Sequence, residues 1–160
     1  HYLLKEIPSS EDGDFSIAKI EAVYNGELSN GIGNFAARVL TLVEKYEGLK
    51  VAALPKEIDE IVVAARKKVE EGIKTFRLHE ALGAVFGLVH FGDEYVNRTK
   101  PWETKDRTAV LNLTILLDNI AGLLTPFLPA TAEKITKSIV WEKDGTLAIK
   151  NGEVLFPRLL

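Results

Sequence analysis

The sequence predicts an all-α protein: an antiparallel helical bundle that ends in a small β-hairpin-like tail. Three observations carry this expectation. Apolar residues recur at helical spacing through residues 16–140 in four long stripes. Short connections marked by Gly, Pro or Asn-Gly separate them, which favours antiparallel neighbours. Asn151-Gly152 then lies between two short β-prone runs in LAIKNGEVLFP, so residues 146–156 are expected to hold the only β structure.

In chain order, residues 1–13 (HYLLKEIPSSEDG) open in an apolar segment. With no initiator Met, and no Met anywhere, the chain reads as a fragment of something longer. Asp14 or Ser16 can cap a first helix carrying Phe15, Ile20, Val23 and Tyr24. Asn25-Gly26 marks a break, and Gly48 stands where the next helix should end. After Pro55, the residues Ile58, Ile61, Val62, Ala65, Val69 and Ile73 trace a second stripe, with Arg66, Lys67 and Lys68 mostly on its solvated side. Leu78, Leu82, Val85, Phe86 and Val89 trace a helix running to about residue 96, which Pro101 stops or restarts. Val110, Leu113, Leu117, Ile120 and Leu124 mark the helix expected at the bundle centre. Its end holds two Pro in TPFLPATAEKI, so a last short helix is expected over 130–140.

The central stretch is Leu28 to Tyr46, LSNGIGNFAARVLTLVEKY. At about 100° per residue, Leu28, Ile32, Phe35, Val39, Leu42 and Tyr46 share one face. Asn30, Asn34, Arg38, Thr41 and Lys45 share the other. That polar side is either the wet side of an amphipathic helix or a row of two carboxamides and a guanidinium, one turn apart, able to touch one ligand.

At 160 residues the chain is long enough for one domain with a proper core. Zero Cys excludes disulfides, thiolate metal sites and a Cys nucleophile, and the three His (His1, His79, His90) are scattered. Asp118 and Asn119, or Gly residues, interrupt the longest apolar runs, so no membrane span is expected. With no signal-peptide pattern, a cytoplasmic location is the expectation. The net charge of −3 argues against non-specific nucleic-acid binding, although Arg98, Lys100, Lys105 and Arg107 cluster around Trp102.

Several motif matches fail on context. Gly31-Ile32-Gly33-Asn34-Phe35-Ala36 fits G-x-G-x-x-A, but no buried strand precedes it. His79-Glu80 opens an HExxH whose fifth position is Gly83. Asn97-Arg98-Thr99 and Asn112-Leu113-Thr114 read as chance sequons. No P-loop or nucleophile elbow stands out, so the chain is expected to be non-catalytic alone. Trp102 is the informative residue: it follows Pro101, lies between Lys100 and Lys105, and sits outside every apolar stripe. It is either a core anchor or an aromatic platform for a splayed RNA base. In the second case Asn30, Asn34 and Arg38 supply the amides and guanidinium that read base edges.

Four stretches resemble methionyl-tRNA synthetase, a class I aminoacyl-tRNA synthetase family: YLLKEIPSSEDGDFS (2–16), YNGELSNGIGNFAARVL (24–40), YVNRTKPWE (95–103) and VLFPRL (154–159). They occur in the family's order, and the second and third are specific. The resemblance implies the anticodon-binding domain, an α-helical bundle that reads the CAU anticodon of methionine-accepting tRNA. It places the readers on Asn30, Asn34, Arg38, Pro101 and Trp102, with Arg98, Lys100 and Lys105 as candidate phosphate contacts, and no catalytic or metal-binding residue. It divides the chain into a connector from a catalytic domain (1–13), the bundle (14–142) and a tail (143–160). ATP, and zinc where present, would belong to that missing catalytic domain with its HIGH-type and KMSKS-type signatures. Many relatives carry Asn near Gly92-Asp93-Glu94, where an acid would repel phosphate. The competing readings are a protein-docking bundle with Trp102 as interface anchor and the equivalent domain of another class I synthetase. A protein interface would prefer apolar residues over 30–38.

Overall fold

A computed structural model describes residues 1–7, 13, 15–46, 48–150 and 155–159. Eight α-helices appear among them: α1 (Tyr2–Glu6), α2 (Ile17–Val23), α3 (Asn34–Val43), α4 (Lys56–Lys74), α5 (Leu78–Thr99), α6 (Pro101–Thr104), α7 (Arg107–Leu124) and α8 (Pro129–Ser138). A π-helical segment, Tyr24–Gly33, joins α2 to α3. Strands β1 (Ile139–Trp141) and β2 (Leu147–Ile149) follow α8. The fold is the expected helical bundle.

Most of the stripe residues bury as their spacing requires, although Ile73 is exposed, as is Phe15 of the expected first helix, and α2 has no buried residue. Phe35 and Val39 on α3, Leu82 and Val85 on α5, and Leu113, Leu117 and Ile120 on α7 are sealed in one continuous core. Helix α7 is its axis and packs against α3, α4, α5 and α8. By length and apolar composition it would suffice to cross a membrane, despite Asp118 and Asn119, but 67% of it is buried inside the protein. That burial identifies it as a core helix. Its start is fixed by Asp106, whose Oδ1 accepts from the Ala109 amide at 3.0 Å.

The stretch from Leu28 to Tyr46 departs from one uniform helix. Its α-helical part begins only at Asn34 and ends at Val43, short of Gly48, while residues 24–33 wind as a π-helix with a break at Gly31 (φ −83°, ψ −105°). Asn25-Gly26 therefore changes the winding rather than ending the helical path. Glycine permits this tightness: a Cβ on Gly33 would lie 2.8 Å from the Leu28 carbonyl oxygen. The same segment anchors α1, because Glu27 receives both Lys5 and the His1 ring, the latter at 2.7 Å.

The tail also differs from expectation. The residues 151–154 that carry the Asn-Gly pair lie outside the described residues. The hairpin that is described turns at Asp144-Gly145, with antiparallel pairs Ile139–Ile149, Val140–Ala148 and Trp141–Leu147. Residues 139–141 are thus a strand, not a helix end, and β structure is not confined to 146–156. The Asp144 side chain accepts from the Thr146 amide at 2.9 Å, and Gly145 sits at φ +79°. This Asp-Gly turn is a strong hairpin signal in its own right. Trp141 packs against the core and donates to Asp118 Oδ2 at 3.2 Å.

Candidate functional site

Two backbone devices present Trp102. Lys100 (φ 42°, ψ 58°) and Lys105 (φ 55°, ψ 30°) both adopt the left-handed conformation, so the one-turn α6 is set off from α5 and α7. Pro101 occupies its first position and is buried, with its carbonyl accepting from the Tyr46 hydroxyl at 3.0 Å. Thr104 Oγ1 closes the turn onto the Lys100 and Thr99 carbonyls at 3.2 Å each. Pro101 is the anchor, and the Trp102 ring remains 45% exposed. Its indole Nε1 donates to Glu103 Oε1 at 3.3 Å.

Arg38 reaches this spot from α3. Its Nη1 donates to Asp93 Oδ1 at 3.0 Å and its Nη2 to Asn97 Oδ1 at 2.9 Å, both on α5. Its Cζ lies 6.0 Å from the Trp102 ring centroid, within cation–π range. A cation thus sits beside an exposed aromatic face, aimed by two oxygen acceptors. Asp93 does not stand as an isolated acid against incoming phosphate, because its charge is paired with Arg38. Burial is the main influence on its carboxyl and raises it above the usual carboxylate range, against the pull of Arg38 and His90.

The remaining expected residues are distributed around this pair. Arg98 lies 5.4 Å from the Tyr95 ring centroid and 3.7 Å from Glu57. Lys100 is 3.7 Å from Glu103, and Lys105 is exposed. Asn34 and Arg38 are one turn apart on α3. Asn30 lies beyond the Gly31 break on the π-helical segment, so the equal spacing of the three does not carry through. Asn30 and Asn34 are exposed and border a groove between α3, α8 and the segment 155–158.

Sequence reasoning missed Asn97 and did not foresee that Asp93 pairs with Arg38. Asn97 was set aside as a chance sequon, yet it lies four residues after Asp93 on α5, a spacing that puts both oxygens on one face toward Arg38. In the other sequon match, Asn112 is 4% exposed and donates to the Tyr95 hydroxyl at 3.1 Å. That bond fixes the aromatic ring on which Arg98 rests.

Residues 56–154 match the family described as the anticodon-binding domain of tRNA ligase. The methionine–tRNA ligase of Clostridium acetobutylicum is 34% identical over 99% of this chain and 29% of its own length. That of Thermococcus onnurineus is 37% identical over 84% of this chain and 20% of its own length. This chain therefore spans less than a third of the curated relatives it matches. Among solved structures, free methionyl-tRNA synthetase of Mycobacterium tuberculosis superposes with a TM-score of 0.84 at 22% identity. It covers 99% of this chain and 38% of its own, a likeness of fold. The same enzyme bound by methionyl-adenylate superposes with a TM-score of 0.81 at 21% identity, over 98% of this chain and 36% of its own.

Proposed function

This chain belongs to the family of tRNA-ligase anticodon-binding domains, and we propose that it is the module by which a methionine–tRNA ligase reads the CAU anticodon of methionine-accepting tRNA. The observation that carries this reading is the Arg38 guanidinium set beside the exposed Trp102 ring. A splayed base stacks on the indole, and the guanidinium and nearby carboxamides read its edge. Methionine–tRNA ligases among the relatives, aligned over nearly the whole chain, support methionine as the amino acid served. Arg98, Lys100 and Lys105 flank the ring and supply positive charge for the loop backbone.

In this reading the chain works within a longer cytoplasmic enzyme. Residues 1–13 are read as the connector from the catalytic domain, 14–142 as the reading bundle and 143–160 as a tail that packs on the bundle or leads to a linker. Methionine, ATP and any zinc belong to the catalytic domain, and no residue of this chain is assigned to them.

The test is titration of an RNA hairpin carrying a CAU loop against the wild-type chain and Trp102→Ala, with indole fluorescence as one signal. Stacking is worth about 1–3 kcal/mol per base. Trp102→Ala should therefore weaken binding roughly 5- to 150-fold, at an unchanged melting temperature. Unaltered binding would reject the site. A large fall in melting temperature would instead make Trp102 a core anchor, and tight binding of a protein partner in place of RNA would favour a docking bundle.

A further inference from the structure

Gly72 of α4 faces Ala81 of α5 near the hairpin turn, and Glu57 lies 3.7 Å from Arg98 at the other end, so the two helices run antiparallel. Between them opens a groove of about 900 Å³. Along α5 it extends from Glu80 to Phe91, roughly 16 Å at the helical rise, or about three turns. Its walls are apolar: Ile61 and Ala64 on α4, and Ala84, Leu88 and Phe91 on α5. Gly83 and Gly87, one turn apart, line it as well. Neither glycine serves packing within the protein, because a Cβ on either would meet no atom within 4 Å among the described residues. Gly72 and Gly92 differ, since a Cβ there would run into Ala81 and Phe35. Glycine inside a 22-residue helix disfavours that helix relative to alanine. What Gly83 and Gly87 do provide is open space in which another backbone can come close.

The rim and the walls decide what kind of chain fits. Arg77 lies 3.1 Å from Glu80 and 3.9 Å from Glu71, so these three charges at the groove largely offset one another. Lys67 and Lys68 on the α4 rim are exposed and have no acidic partner among the described residues. The groove is therefore biased to positive charge although the whole chain carries −3. Its apolar walls offer nothing to the polar edge of a base, which disfavours RNA. Both walls are helices, so there is no sheet edge with which an extended peptide could pair. A helix brings its own backbone hydrogen bonds and needs only an apolar stripe to lie in such a groove. Acidic residues flanking that stripe complement Lys67 and Lys68.

We propose that this groove docks an amphipathic helix of another protein, with its apolar stripe over Gly83 and Gly87 and an acidic flank beside Lys67 and Lys68. The groove shares no lining residue with Arg38, Trp102, Asp93 or Asn97. The docking site therefore stands independently of the anticodon reading and adds a protein partner to it.

The probe is a designed, fluorescein-labelled helical peptide of about 14 residues with a leucine stripe and a glutamate flank, titrated by anisotropy. A second peptide carries lysine in place of every glutamate. The wild-type chain should bind the glutamate peptide about tenfold tighter than the lysine peptide or better. Lys67→Glu combined with Lys68→Glu should reverse that preference. Gly87→Leu, which fills the groove, should weaken the glutamate peptide by about tenfold or more. It should not lower the melting temperature, since the new side chain enters open space and leucine favours helix over glycine. Its affinity for a CAU-loop hairpin should equal that of wild type. No binding of the glutamate peptide, equal affinity for the two peptides, or full binding by Gly87→Leu would each overturn the docking site. So would a loss of hairpin affinity in Gly87→Leu, which would assign the groove to RNA. A dimer in light scattering that Gly87→Leu abolishes would overturn it too, by assigning the groove to a second copy of this chain.

Discussion

The Arg38 guanidinium donates from Nη1 to Oδ1 of Asp93 across 3.0 Å, tying α3 to α5 beside the Trp102 ring. The pair is not a simple surface ion pair. Burial keeps the Asp93 carboxyl above its usual range even with the Arg38 cation against it.

That balance sets a pH dependence. A folded-state pKa above the unfolded value means that the folded protein holds this proton more tightly. The stability it contributes is complete below the unfolded pKa and is lost as pH rises through the folded one. Asp93→Asn removes the titration. The melting temperature of wild type minus that of Asp93→Asn should therefore move in favour of wild type as pH falls from about 7 to about 4. A difference that stays flat, or moves the other way, would contradict the assignment.

Arg38 is expected to discriminate between loops rather than merely attract them. An edge-reading guanidinium is worth about 1–3 kcal/mol against the wrong base. Arg38→Ala should lose most of its affinity for a CAU hairpin and little for a scrambled loop. Equal losses on both would make its role purely electrostatic. The variant should also melt lower, since Asp93 is left partly buried without its cation.

Phe35 and Gly92 set the approach of α3 to α5. A Cβ on Gly92 would lie 2.6 Å from Phe35 Cε2, and that ring is sealed in the core with no room to retreat. Gly92→Ala should destabilise by about 1–3 kcal/mol. Phe35→Leu in the same chain should recover part of the loss. Chemical denaturation of the three variants measures both numbers.

The hairpin turn depends on Gly145 at φ +79°, where an added Cβ would also meet Val51 Cγ1 at 3.0 Å. Gly145→Ala should cost roughly 1–2 kcal/mol locally. Its signature is faster hydrogen exchange at the Leu147 amide, which donates to the Leu49 carbonyl at 2.7 Å. Exchange at α7 core amides should change little.

The chain alone is expected to form no methionyl-adenylate. ATP–pyrophosphate exchange by the purified chain above a buffer control would refute that division of labour.

The sequence by itself determined the long helices and most of their buried faces. Periodicity placed α4, α5 and α7 within a few residues, because a core-facing stripe is a local property of a 3.6-residue repeat. It also singled out Trp102, outside every stripe and after a Pro, but left it either a core anchor or an exposed platform; packing decided for exposure. Tertiary structure decided what periodicity cannot encode. The π-helical winding of Tyr24–Gly33 requires close passage of one turn over another, which the glycines permit but do not impose. The strand Ile139–Trp141 exists because its partner Leu147–Ile149, which also bonds to Leu49, supplies hydrogen bonds that a helix end would leave open. The partners of Arg38 lie 55 and 59 residues away on α5, and the Asn25 side chain bonds to the Leu159 backbone 134 residues away. Pairings of that range follow from how the elements pack, and no local pattern of residues contains them.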